Sequence, residues 1–114
     1  MAAMRANRGL SLYGMTKGAV ANLTINAATE FAKHNIRVNA ICPGPIDTDM
    51  LGQVEEFIDK RNSDVARERI SQSIPLGRYG KPEEIAGAAA FLLSADAGFV
   101  TGILMPVDGG QSLE

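Results

Sequence analysis

The run Ile36-Arg37-Val38-Asn39-Ala40-Ile41-Cys42, cut off by Pro43-Gly44-Pro45, constrains the fold of this chain most. β-Branched and apolar residues follow one another with little alternation, the pattern of a strand covered on both faces. A second strand candidate, Ile103 to Val107, lies near the C-terminus, and Pro106 within it lacks a ladder donor, which favours a sheet edge. Strand, long helix-containing crossover and strand form a βαβ unit, right-handed with parallel strands. The fold class expected is therefore α/β.

Helical patterning surrounds these strands. From about Ser11 to His34, Leu12, Met15, Ala19, Val20, Leu23, Ala27 and Phe31 recur at three- and four-residue steps. Asn35 is suited to end this helix in a left-handed conformation, Lys33 and His34 suit its C-terminal dipole, and Ser11 is placed to cap its start. Residues 47–75 are polar and charge-rich, with short helices expected near Val54 to Arg61 and Asp64 to Ser73. There Glu55, Glu56, Asp59, Lys60 and Arg61 read as a solvated face, while Met50, Leu51, Val54, Phe57 and Ile58 are available either for packing or for a pocket. Pro82, Glu83 and Glu84 open a helix that should run to about Ser94. Its apolar residues point almost all round, implying burial on several sides. Two strands and two helices this apolar bury each other poorly, so the chain reads as one partial domain, residues 1–114.

Composition narrows the function classes. Of 114 residues, 46% are apolar and 21% charged, which suits a globular chain rather than a disordered one. A net charge of −2 gives no footprint for nucleic acid or an anionic membrane surface. The uncharged stretch Ile85 to Ser94 is too short to cross a bilayer, and Met1 to Arg5 lacks the apolar run of a secretory signal. One cysteine, Cys42, excludes an internal disulfide framework, suits a reducing cytoplasm and reads as a small packing residue. No His, Cys, Asp and Glu cluster has metal-ligand spacing.

The candidate chemistry begins with Tyr13 and Lys17. Four residues apart on a helix, they stack on one face, and an ammonium beside a phenol favours the phenolate needed for proton transfer. The same spacing also occurs in ordinary solvated pairs, so the later blocks matter. Tyr13-Gly14-Met15-Thr16-Lys17, Ile36 to Gly44, Arg78-Tyr79-Gly80-Lys81-Pro82-Glu83-Glu84-Ile85-Ala86, and Thr101-Gly102 followed by Val107-Asp108-Gly109-Gly110 occur in that order. Together they resemble the C-terminal half of the short-chain dehydrogenase/reductase family, its 3-oxoacyl reductase-like subgroup, over nearly the whole chain.

The resemblance implies the C-terminal part of a Rossmann-like, doubly wound parallel sheet. It implies NAD or NADP as cofactor of the complete protein and interconversion of a secondary alcohol and a ketone. Tyr13 then matches the acid/base, and Lys17 the residue that lowers its pKa and bonds the nicotinamide ribose. Pro43, Gly44, Ile46 and Thr48 match the loop closing over nicotinamide, residues 49–75 the substrate lid, and Asp108-Gly109-Gly110 a tight structural turn. The family's substrate-polarising serine and its asparagine would lie upstream of Met1. So would the Gly-rich pyrophosphate turn and the residue choosing NAD or NADP; Gly98, Gly102, Gly109 and Gly110 do not form such a turn. The expectation is an isolated chain that binds no cofactor and is catalytically silent. An alternative is an assembly module, because the first helix and the last helix with its edge strand match the family's subunit contacts, implying homodimers or tetramers. A truncated piece of a longer enzyme is the third reading.

Overall fold

The computed structural model describes residues 11–59 and 62–113. It begins with α1, Ser11–Phe31, prolonged by a 3-10 turn at Ala32–His34. Asn35 ends this rod at φ 57°, donating its N–H to the Ala32 carbonyl at 2.9 Å. Asparagine reaches that left-handed region at less cost than most L-residues, as its position promised. Ser11 is the first described residue of α1, and the residues before it lie outside the described ones.

The remaining elements are β1, Ala40–Pro43; α2, Asp49–Ile58; α3, Ser63–Gln72; α4, Pro82–Leu93; and β2, Leu104–Val107. β1 and β2 pair in parallel, from Ala40 opposite Leu104 to Pro43 opposite Val107, so the α/β reading and the βαβ unit hold. The ladder begins four residues later than the apolar run suggested. Asn39 is the reason: its side chain donates to the Val100 carbonyl at 2.9 Å and accepts from the Ile103 N–H at 3.2 Å, taking groups a regular ladder would use. Just before it, Val38 N–H turns to Thr101 Oγ1 at 3.1 Å. α2 also starts earlier than expected, because extended Thr48 offers its carbonyl to the Leu51 and Gly52 N–H groups and Asp49 suits the helix N-terminus. α2 also ends earlier than the expected Arg61, at Ile58, because Asp59 is extended at φ −138° and ψ 95°; residues 60 and 61 and the side chains of Phe57 and Ile58 lie outside the described residues.

Arg37 fastens α4 to the sheet. Its guanidinium donates to the carbonyls of Leu92 at 2.7 Å, Ser94 at 3.3 Å and Val100 at 3.3 Å, satisfying groups that a helix end leaves without partners. At the other end of α4, Glu84 reaches back to the Lys81 N–H at 2.7 Å and grips Arg78 through both carboxylate oxygens, at 2.8 and 2.7 Å. The Arg78 hydrogen bond, followed by that from the Lys81 backbone, holds the Glu84 pKa down to about 2.

The expected burial of α4 on several sides does not occur. Leu92 is buried, but Leu93 is 83% exposed and Phe91 is exposed too, since two strands cover only one side of a helix. A cleft of about 410 Å³ stays open between Val38 and Ile41 on one wall and Ala89, Leu92 and Leu93 on the other. Ile36, read as part of a doubly covered strand, is exposed for the same reason. The accessible surface is 8081 Å² for 12.1 kDa, against about 6,000 Å² for a typical folded monomer of that mass. No described helix is long and apolar enough to cross a membrane.

Candidate functional site

α1 places Tyr13 and Lys17 together. Lys17 Nζ lies 5.3 Å from the centre of the Tyr13 ring, a cation–π contact, so the ammonium rests on the ring rather than at the hydroxyl. Both side chains are exposed, Tyr13 to 51%, and among the described residues the Tyr13 hydroxyl has no hydrogen-bond partner. No hydrogen bond joins either residue to the 43–48 loop among the described residues. α1 meets the sheet lower down, where buried Ala28 packs at Gly102: a Cβ on that glycine would lie 3.3 Å from the Ala28 Cβ.

The 43–48 loop is built from backbone. Pro43 ends β1 opposite Val107, and Gly44 N–H donates to the Val107 carbonyl at 3.1 Å. Gly44 must be bare, because a Cβ there would stand 2.7 Å from the Asp108 Cα. Beyond it, Gly80 donates to the Pro45 carbonyl at 3.0 Å and accepts from Asp47 N–H at 2.9 Å, forming a parallel bridge between Ile46 and Gly80. In such a bridge the flanking residues bond to Gly80, so the N–H and C=O of Ile46 face the opposite way. Thr48 Oγ1 donates to that Ile46 carbonyl at 3.3 Å, and among the described residues the Ile46 N–H has no partner. A free donor, an acceptor and a hydroxyl thus stand side by side at the C-terminal end of a parallel strand, where open α/β sheets bind ligands.

Behind the loop, Asp108 is 9% exposed and accepts from the N–H groups of Gly110 at 2.9 Å and Ser112 at 3.0 Å. Burial pushes its pKa up, but the bonds from Ser112 and Gly110 outweigh this and leave it lowered. Gly109 and Gly110 take φ 63° and 90°, which makes the tight turn expected of Asp108-Gly109-Gly110. A cavity of about 490 Å³ opens beside it, lined by Ile46, Leu76, Ile85 and Val107 among others, with neither Tyr13 nor Lys17 on its wall.

Sequence reasoning missed a cluster under residues 49–75. Arg67 of α3 bonds Asp47 at 2.8 Å, approaches Glu55 of α2 at 3.6 Å and lies 4.5 Å from the centre of the Tyr79 ring. Glu55 is only 5% exposed, which corrects its assignment to a solvated face; Arg67 and Tyr79 close over it. Burial, then the proximity of Glu55, raises the Tyr79 phenol pKa, and among the described residues neither Tyr79 Oη nor Glu55 Oε1 has a hydrogen-bond partner. The Asp47 hydrogen bond raises the Arg67 pKa further. The cluster spans residues 47 to 79, beyond the reach of periodicity, and the aromatic Tyr79 beside a Gly was its one available signal.

Residues 1–112 match the family model described as Enoyl-(Acyl carrier protein) reductase. Levodione reductase of Leifsonia aquatica is 44% identical over 100 residues, 88% of this chain and 38% of the relative. Among solved structures, a short chain dehydrogenase family protein from Francisella tularensis subsp. tularensis SCHU S4 superposes with TM-score 0.94 at 35% identity, covering 99% of this chain and 48% of that one. NAD+-bound xylitol dehydrogenase superposes with TM-score 0.89 at 37% identity, over 96% of this chain and 45% of its own. The chain belongs to the short-chain dehydrogenase/reductase family, and its architecture is the corresponding part of a Rossmann fold. It spans less than half the length of these relatives.

Proposed function

We propose that residues 1–114 supply the proton-transfer pair and the nicotinamide loop of an NAD(P)-dependent oxidoreductase that interconverts a secondary alcohol and a ketone. The observation that bears the most weight is the outward-facing Ile46 backbone beside the Thr48 hydroxyl, because a carboxamide needs one acceptor and one donor set side by side. The residues present therefore fit the nicotinamide end of such a cofactor. When bound, it supplies or receives hydride.

Tyr13 then gives its proton to the carbonyl oxygen, or takes it from the alcohol, and Lys17 bonds the ribose. Tyr13 stands fifteen residues before Ala28, about 22 Å along the helix axis. From Gly102, which Ala28 touches, to Asp108 the chain rises about 20 Å at strand pitch. The two lengths, both measured from the Ala28–Gly102 contact, nearly match, which supports setting Tyr13 level with Gly44 and Ile46. Pro43 and Gly44 hold the loop, and residues 49–75 are the lid over the substrate.

The test is a titration of the purified chain with nicotinamide mononucleotide at millimolar concentration, followed by amide chemical shifts. Saturable shifts at Ile46, Asp47 and Thr48 that weaken in Thr48→Val are expected. Shifts spread over the surface, or none, would reject the loop assignment. Without a Gly-rich strand-to-helix turn in residues 1–114, the chain by itself should not oxidise NADH or NADPH with a ketone. Saturable turnover by the purified chain would refute that.

A second reading, an assembly module, draws on the exposed apolar surface. Leu12, Met15 and Leu23 of α1 and Leu93 of α4 stand in solvent, and the surplus of about 2,000 Å² per chain over a typical monomer, about 4,000 Å² for a pair, falls within the range that obligate homodimer interfaces bury. Homodimers or tetramers follow, in a reducing compartment that suits the single buried Cys42. A monodisperse monomer in light scattering would reject this reading.

A further inference from the structure

We infer that Arg67 is a positioning residue that ties the lid helices to the nicotinamide loop, so that the two are ordered as one unit. The inference rests on the assignment of those two segments made above. Four segments meet at its guanidinium: the loop through Asp47 at 2.8 Å, α2 through Glu55 at 3.6 Å, α3 itself, and the Tyr79 ring at 4.5 Å. Tyr79 adjoins Gly80, whose N–H and C=O hold the backbone of Pro45 and Asp47. The loop is therefore gripped twice, once by the Gly80 bridge and once by Arg67.

A planar fork with several donors and a stackable face suits this junction, whereas lysine offers one point charge. Glu55 makes the arrangement strict. It is 5% exposed, and among the described residues Arg67 is its ion-pair partner, so removing Arg67 strands a buried carboxylate. The expected response is that Glu55 leaves its site and α2 separates from α3. Asp47 meanwhile loses its tether, and the loop beside Ile46 loosens with the lid. By reciprocity, freeing Asp47 must also weaken the order of α3. Closure of the lid over a substrate and fixing of the loop over a cofactor thus share one cation.

Hydrogen exchange on the full chain tests this without any cofactor, so its failure leaves the loop assignment standing, and the failure of that assignment leaves it standing. In Arg67→Met, the Asp47 and Gly80 amides should exchange about fivefold faster, while the Ala40 amide, bonded to Ile103 at the base of the sheet, keeps its rate. Adding Glu55→Gln removes the stranded charge. It should return α2 and α3 to near wild-type rates while the Asp47 and Gly80 amides stay fast. A merely structural role for Arg67 would restore helices and loop together. Asp47→Ala deletes a half-exposed carboxylate, and it reads the same link from the other side should Arg67→Met unfold the chain. It should speed exchange in α3 as well as in the loop. Unchanged Asp47 and Gly80 amides in Arg67→Met, loop recovery in the double variant, or an α3 indifferent to Asp47→Ala would each overturn the inference.

Discussion

Replacing Gly44 by alanine tests how tightly the loop is set against the C-terminal turn. The new Cβ would stand 2.7 Å from the Asp108 Cα, 2.8 Å from its Cβ and 3.1 Å from its carbonyl oxygen. Carbon contacts are comfortable at about 3.5–4.0 Å, so the intrusion approaches 1 Å against one residue. Neither side yields easily. Gly44 is bonded to Val107 at 3.1 Å, and the Asp108 carboxylate is pinned by the Gly110 and Ser112 amides. Gly44 is not among the residues with positive φ, so the cost is steric rather than conformational. Overpacking of this kind costs about 1–3 kcal/mol, and we place it at the upper end; the stiffer unfolded chain returns about 0.4–1 kcal/mol. A net loss of about 2 kcal/mol lowers the melting temperature of a domain this size by roughly 8 °C or more. Gly80→Ala is the control. Its Cβ would lie 2.8 Å from Ile46 Cδ1, the tip of a side chain that can rotate, with the next atoms at 3.8 Å. That change should cost under about 1 kcal/mol. Urea and thermal unfolding of both variants decide the matter. Equal stability of the two, or a wild-type melting temperature for Gly44→Ala, would refute the reasoning.

Three further outcomes follow from the same contacts. Because the Glu84 carboxylate has a lower pKa folded than unfolded, the folded chain binds fewer protons there. The stability this supplies is complete above about pH 4.5 and is lost as the pH falls toward 2, so the melting difference between wild type and Glu84→Gln should shrink across that window. Arg37→Ala frees the carbonyls of Leu92, Ser94 and Val100 and should cost about 2–3 kcal/mol in denaturant unfolding, with Arg37→Lys recovering only part. Tyr13→Phe removes an exposed hydroxyl that has no partner among the described residues, so stability should stay within about 0.5 kcal/mol of wild type.

What the sequence revealed was set by range. α1 and its stop at Asn35, the opening of α4 at Pro82 and the turn at Asp108 depend on residues within a few positions of one another, and periodicity and turn chemistry reach that far. The parallel pairing of β1 with β2 was legible because chain connectivity leaves it little choice. The late start of β1 was not, since it turns on Asn39 meeting Val100 and Ile103 some sixty residues on. Glu55 was misread for a related reason. A glutamate among charged neighbours is indistinguishable from a solvated one until Arg67 and Tyr79 fold over it.

Exposure in this chain has two physical origins, and separating them sharpens the functional reading. Leu93 and Ile36 are exposed because two strands have too little area to cover them, a deficit that any apolar partner surface would relieve. Ile46 N–H lacks a partner among the described residues for another reason: the parallel bridge directs it away from Gly80, and no change in apolar covering would alter that direction. The apolar surplus therefore speaks to assembly, and the orientation of the loop speaks to ligand binding. Arg67 belongs with the second group, because its tether to Asp47 acts on the segment whose backbone orientation is fixed, not on the surface that lacks cover.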